Sequence, residues 1–127
     1  MNLTFNEEIF KNCRNKEQYF QYIEELVWLG REVQDNGIMA FESEKWQNVT
    51  AYEREAIDLL CEGGPPDRLE FMLTTLLNTS DFTEDEYIKA VLFRVFVIFL
   101  QPGGISETEM KKLLLSHFGI QEYHNRI

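Results

Sequence analysis

The chain has 127 residues with a formal net charge of −10, and 44% of them are hydrophobic. That length suits one domain, and that apolar fraction fills one core, which excludes a disordered chain. The charge disfavours binding to nucleic acid or to anionic membranes, because the surface repels phosphate; it permits docking onto a basic protein surface, although keeping the domain soluble explains it more simply.

Residues 1–12 carry no basic stretch followed by a long apolar run, so no signal peptide is expected. Ile9 and Phe10 can anchor one short turn there. A long helix is predicted from Lys16 to Asp35, with a stripe of Tyr19, Ile23, Leu26, Gly30 and Val33 flanked by Phe20 and Val27. Asn36–Gly37 breaks it, and a further helical stretch is expected from Ile38 to Trp46. A helix from Thr50 to Glu62 presents Tyr52, Ala56, Leu59 and Leu60, and Gly63–Gly64–Pro65–Pro66 ends it. The next, Pro66 to Asn78, carries Leu69, Met72, Leu73 and Leu76.

Glu84 to Leu100 reads as a helix that is apolar on nearly every side from Val91 onward, the mark of a central element. Its apolar stretch, Ile88–Leu100, is interrupted by Lys89 and Arg94. At about 1.5 Å per residue it reaches only about 20 Å, too short to span a bilayer. Gln101–Pro102–Gly103–Gly104 stops it, and a last helix runs from Glu107 to Phe118 with Met110, Leu113 and Leu114. The tail after Gly119 is expected to fray.

Thr50–Glu53, Thr83–Glu86 and Ser106–Glu109 each fit the capping box. In that motif a hydroxyl accepts from a free backbone N–H, and the glutamate three residues on accepts from the cap residue's own N–H. The fold expected is therefore all-α: a compact orthogonal or antiparallel bundle of five to six helices around one central hydrophobic helix. It forms a single domain over residues 1–127, with 1–12 and 119–127 peripheral or frayed. Residues 59–76 and 99–116 share a helix, Gly–Gly turn, helix pattern, which two similar hairpins explain better than a repeat does.

Signatures of catalysis are lacking. There is no G-x-S-x-G, P-loop, H-E-x-x-H or C-x-x-C. The two histidines, His117 and His124, have no Glu-x-x-His partners, and the widely spaced Cys13 and Cys61 suggest free thiols in a reducing cytoplasm. No catalytic residue, metal site or cofactor is expected.

Residues 23–77 resemble the cytoplasmic region of the flagellar motor stator A-subunit family. The likeness lies in a long helix ending at Asn36–Gly37, then Ile38–Met39–Ala40–Phe41–Glu42, a helix ending Leu59–Leu60, a Gly-Gly-Pro-Pro turn and a Leu-rich helix. The resemblance implies a cytoplasmic, motility-linked protein whose charges meet a protein partner, with the family's functional glutamate at Glu42. The family's arginine falls on Gln34, with Arg31 one turn earlier, and the family's membrane helices have no counterpart in this sequence.

The function expected is a non-catalytic protein–protein interaction domain, with a partner-binding patch around the Gly37 bend formed by Trp28, Gln34, Glu42, Glu44 and Trp46. The alternatives are a small helical enzyme or metal-binding bundle, or a structural subunit of a larger assembly. Oligomeric state is not legible.

Overall fold

Three reciprocal caps set where the helices begin. The Thr50, Thr83 and Ser106 hydroxyls accept from the backbone N–H groups of Glu53, Glu86 and Glu109, and each glutamate accepts in return from the cap residue's N–H. In this computed structural model, which describes residues 2–127, seven α-helices result. They are α1 (Glu7–Asn12), α2 (Lys16–Asn36), α3 (Ala51–Glu62), α4 (Pro66–Thr79), α5 (Glu84–Leu100), α6 (Glu107–Leu115) and α7 (Ile120–Arg126). Short 3₁₀ turns fill Gly37–Glu42, Glu44–Trp46 and Ser116–Phe118, and no strand occurs among the described residues.

The all-α bundle expected from the sequence is the fold observed. Helix α5 is its axis and packs against α2, α3, α4 and α6. Every residue from Val91 to Ile98 is buried. Burial on all sides explains why this helix alone lacks a polar face. Helix α2 crosses it at Gly30, where a Cβ would stand 3.2 Å from the Phe96 ring. No described helix is long and apolar enough to cross a membrane.

Arg94 lies wholly inside this axis. Its Nη2 donates to the carbonyls of Leu3 (3.2 Å) and Thr4 (2.9 Å), and its Nη1 to Thr74 Oγ1 (3.4 Å). No carboxylate pairs with it among the described residues, and its Nε has no partner. Burial lowers its pKa below the usual arginine value.

Two local expectations are corrected, and the short turn expected around Ile9 and Phe10 is present as a helix. Residues 38–46 form two 3₁₀ turns instead of a helix, because Ser43 is extended (φ −62°, ψ 151°) and splits the segment. The segment after Gly119 does not fray. It forms α7, whose Arg126 guanidinium sits 3.7 Å from the Phe20 ring centroid and pairs with Glu17 at 2.9 Å. Residues 7–12 form α1, and Phe10 is buried against Phe118, with ring centroids 5.2 Å apart.

Candidate interaction surface

Helix α2 ends because Gly37 takes φ 74°, a conformation open to glycine, and its N–H closes onto the Val33 carbonyl. The chain then returns along α2. Phe41 turns inward, and Lys45 Nζ comes within 3.6 Å of a Glu25 carboxylate oxygen. Gln47 Nε2 donates to the Glu42 carbonyl at 3.1 Å, and Arg54 Nη2 to the Trp46 carbonyl at 2.8 Å. These two contacts tie the corner to itself and to α3.

Trp46 is the nail of this corner. It is only 4% exposed, and its ring centroid lies 6.2 Å from that of Phe93 on the central helix. Its indole Nε1 is buried with no acceptor among the described residues. Placing Trp46 in a partner-binding patch is therefore corrected: the ring is consumed by the core.

Gln34 is also engaged within the fold. Its Nε2 donates to the Ile105 carbonyl at 2.7 Å, bridging α2 to the loop before α6. Nine residues separate Gln34 from Glu25, which is about half a turn of phase at 3.6 residues per turn. The returning corner lies on the Glu25 side, so Gln34 points away from it and does not join Glu42 and Glu44.

The remaining three residues are at the surface. Glu42 and Glu44 are exposed and make no ion pair among the described residues. Trp28 is 55% exposed, one helical turn beyond Glu25. Ile38 and Met39, at the tip of the corner, are 52% and 68% exposed. The expected patch singled out neither of these two apolar side chains, although the Asn–Gly break signals a corner whose tip must face water.

The sequence also gave no warning of an open apolar groove of about 590 Å³ beside α6 and α7. Phe99, Ile105, Leu113, Ile120 and Tyr123 line it, with Lys112 at hand. It depends on α7, which composition alone did not reveal.

Of the two cysteines, Cys13 is buried and Cys61 is exposed. Among the described residues no cluster of three His, Cys, Asp or Glu side chains is placed to hold a metal ion. His117 Nδ1 lies 2.9 Å from the Leu114 carbonyl, so this nitrogen carries the proton, and the ring packs on Phe5 and Phe10 at 4.9 and 5.6 Å. Burial lowers its pKa, and the positive charge of Arg94 adds to that effect. Both cysteines are free thiols whose pKa burial raises, which leaves them poor nucleophiles.

No protein-family model, curated protein or solved structure matches the chain. The stator-family resemblance over residues 23–77 thus rests on the residues themselves.

Proposed function

We propose that this chain is a non-catalytic protein-interaction domain that engages its partner through the outer face of α2 and the corner that follows it. The observation that carries the reading is Trp28. Tyrosine, leucine and isoleucine side chains elsewhere on α2 are buried, yet this largest side chain is 55% exposed. Exposed tryptophan is among the commonest anchors of protein interfaces. Ile38 and Met39 extend the apolar surface near the corner, and Glu42 and Glu44, with no ion-pair partner among the described residues, supply negative charge at its edge.

The matching partner surface has a pocket for an indole and a basic rim. A nucleic acid is a poor fit to a chain of net charge −10. In this reading the two free thiols suit a cytoplasmic setting. The motility-linked form of the reading adds only that Glu42, exposed as the resemblance requires, meets a basic group of a motor component.

The test is site-specific photo-crosslinking in the native cell. A benzophenone amino acid replaces Trp28 in one variant and exposed Thr108, on α6, in another. A discrete crosslinked protein at position 28 that is absent at position 108 supports the reading, and identical patterns at both positions overturn it.

A further inference from the structure

The first described residues pack on parts of the chain remote from them in sequence. The Asn2 N–H donates to Glu70 Oε1 at 2.9 Å, and the Asn6 N–H to the Tyr87 hydroxyl at 2.8 Å. Between these points the buried Arg94 guanidinium grips the carbonyls of Leu3 and Thr4. Phe5 packs at a tilt against His117, and Phe10 packs edge-on against Phe118. The partners all belong to α4, α5 and the 3₁₀ turn after α6. Helix α1 packs chiefly on α5 and that turn, not on α2, which follows it directly.

Only Cys13–Arg14–Asn15 join this arm to the body. Asn15 holds φ 53° and ψ 56°, the sole left-handed non-glycine residue described. Asparagine tolerates this conformation better than most residues, but it still carries strain that an open joint would release. Lys11 to Lys16 contain no proline and no glycine. With the arm undocked, α1 and α2 can therefore run together as one helix, gaining backbone hydrogen bonds across the joint. A short strained joint beside a separately docked element is the arrangement that favours exchange between copies.

We infer that residues 2–12 are an exchangeable arm, and that the Arg94 cleft takes the same arm of a second copy to form a reciprocal swapped dimer. The occupant is fixed by identity: the cleft already fits residues 2–12, so a second copy supplies the same carbonyls to Arg94 and the same Phe10 to the Phe118 pocket. Every docking contact is kept in the dimer, and only the joint changes. The inference does not depend on the Trp28 surface.

Two measurements test it. In light scattering after size exclusion, the wild type shows a dimer fraction that grows toward millimolar concentration. Asn15→Gly removes the left-handed strain and disfavours a fused helix, so the dimer association constant falls by about tenfold or more. Asn15→Ala acts in the opposite direction on both counts and raises it, whereas Trp28→Ala leaves it unchanged. Independently of the joint variants, a benzophenone amino acid at Phe5 in a copy of natural isotopic composition is mixed with nitrogen-15 protein. Crosslinks from that position to nitrogen-15 peptides containing His117 are expected in the dimer fraction. A monomer at all concentrations for wild type and Asn15→Ala overturns the inference, as does a dimer whose Phe5 crosslinks are all within one copy.

Discussion

The Tyr22 hydroxyl donates to Glu53 Oε2 at 2.7 Å, and both residues are buried. The second oxygen of the same carboxylate accepts from the Thr50 N–H at 2.9 Å. One glutamate thus closes the start of α3 and fastens it to α2. Tyr22→Phe removes one donor from a carboxylate that keeps its cap bond, and a loss of about 1–2 kcal/mol is expected in urea melts. Glu53→Ala strips the cap's return bond and leaves the tyrosine hydroxyl unpaired, so about 2–4 kcal/mol is expected. Equal losses for the two variants would show that the link to α2 carries the whole effect and the cap none.

The phenol pKa of Tyr22 stands well above its ordinary value, first because the ring is buried and then because Glu53 lies against it. Tyr19 and Tyr52 are raised too, in both cases mainly by burial, with Asp85 adding to the effect at Tyr19. Each therefore binds its proton more tightly folded than unfolded. Their contribution to stability is complete below about pH 10 and is lost as pH climbs above it toward the folded values. Ultraviolet titration of tyrosinate should show three phenols ionising late, together with loss of helix. Ionisation of these three near pH 10 with the helices intact would contradict this burial.

Phe96 and Leu73 are fully buried, on α5 and on the α4 helix that packs against it. Phe96→Ala should cost about 3–5 kcal/mol, comparable to much of the stability of a small domain. Gly30→Ala presses a Cβ to 3.2 Å from the Phe96 ring, and a loss of about 1–3 kcal/mol is expected. The double variant Gly30→Ala/Phe96→Ala should then be less destabilised than the sum, because the cavity accepts the added methyl group. Strict additivity in urea melts would place the two side chains apart.

What the sequence shows clearly is what neighbours along the chain decide. The three capping boxes, the all-apolar α5 and the Gly–Pro stops are local signals, and each helix they delimit is present. Helix α7 escaped, and α1 showed only as a short turn, because their support is distant: Phe10 leans on Phe118, and Arg126 on Glu17 and Phe20. The two tryptophans show the same limit. Trp28 and Trp46 look alike beside the Gly37 break, but only the tertiary fold puts Phe93 behind one and solvent over the other. Gln34 lies in sequence near the corner but half a turn from it, a phase that becomes visible only once Lys45 meets Glu25.

His117 gives the molecule an acid sensitivity. Its folded pKa lies below the ordinary imidazole value because burial and Arg94 both oppose a second positive charge. The unfolded chain then takes up the proton first, so stability falls as pH drops below about 6.5 and levels off below the folded pKa. The slope should approach at most about 1.4 kcal/mol per pH unit. Urea melts at neutral pH and at pH about 5 should differ more for wild type than for His117→Phe, which cannot titrate. An equal difference in both proteins would assign the acid response to other groups.

Glu42 is where the surface reading can be lost without losing the fold. Its carboxylate is exposed and unpaired among the described residues, so Glu42→Lys should change stability by no more than about 0.5 kcal/mol. Against a partner with a basic rim, the reversal replaces attraction with repulsion. It should weaken binding, slow association and flatten or invert the salt dependence. Trp28→Ala should weaken the same complex mainly by faster dissociation, because it removes buried aromatic area instead of long-range charge. Recovery of the crosslinked partner from native cells, compared for wild type, Glu42→Lys and Trp28→Ala with thermal melts alongside, separates the cases. Undiminished recovery with both stable variants would remove this face from the interaction. Unfolding of Glu42→Lys would instead make that carboxylate part of the corner's structure, and the stator-like reading of Glu42 would go with it.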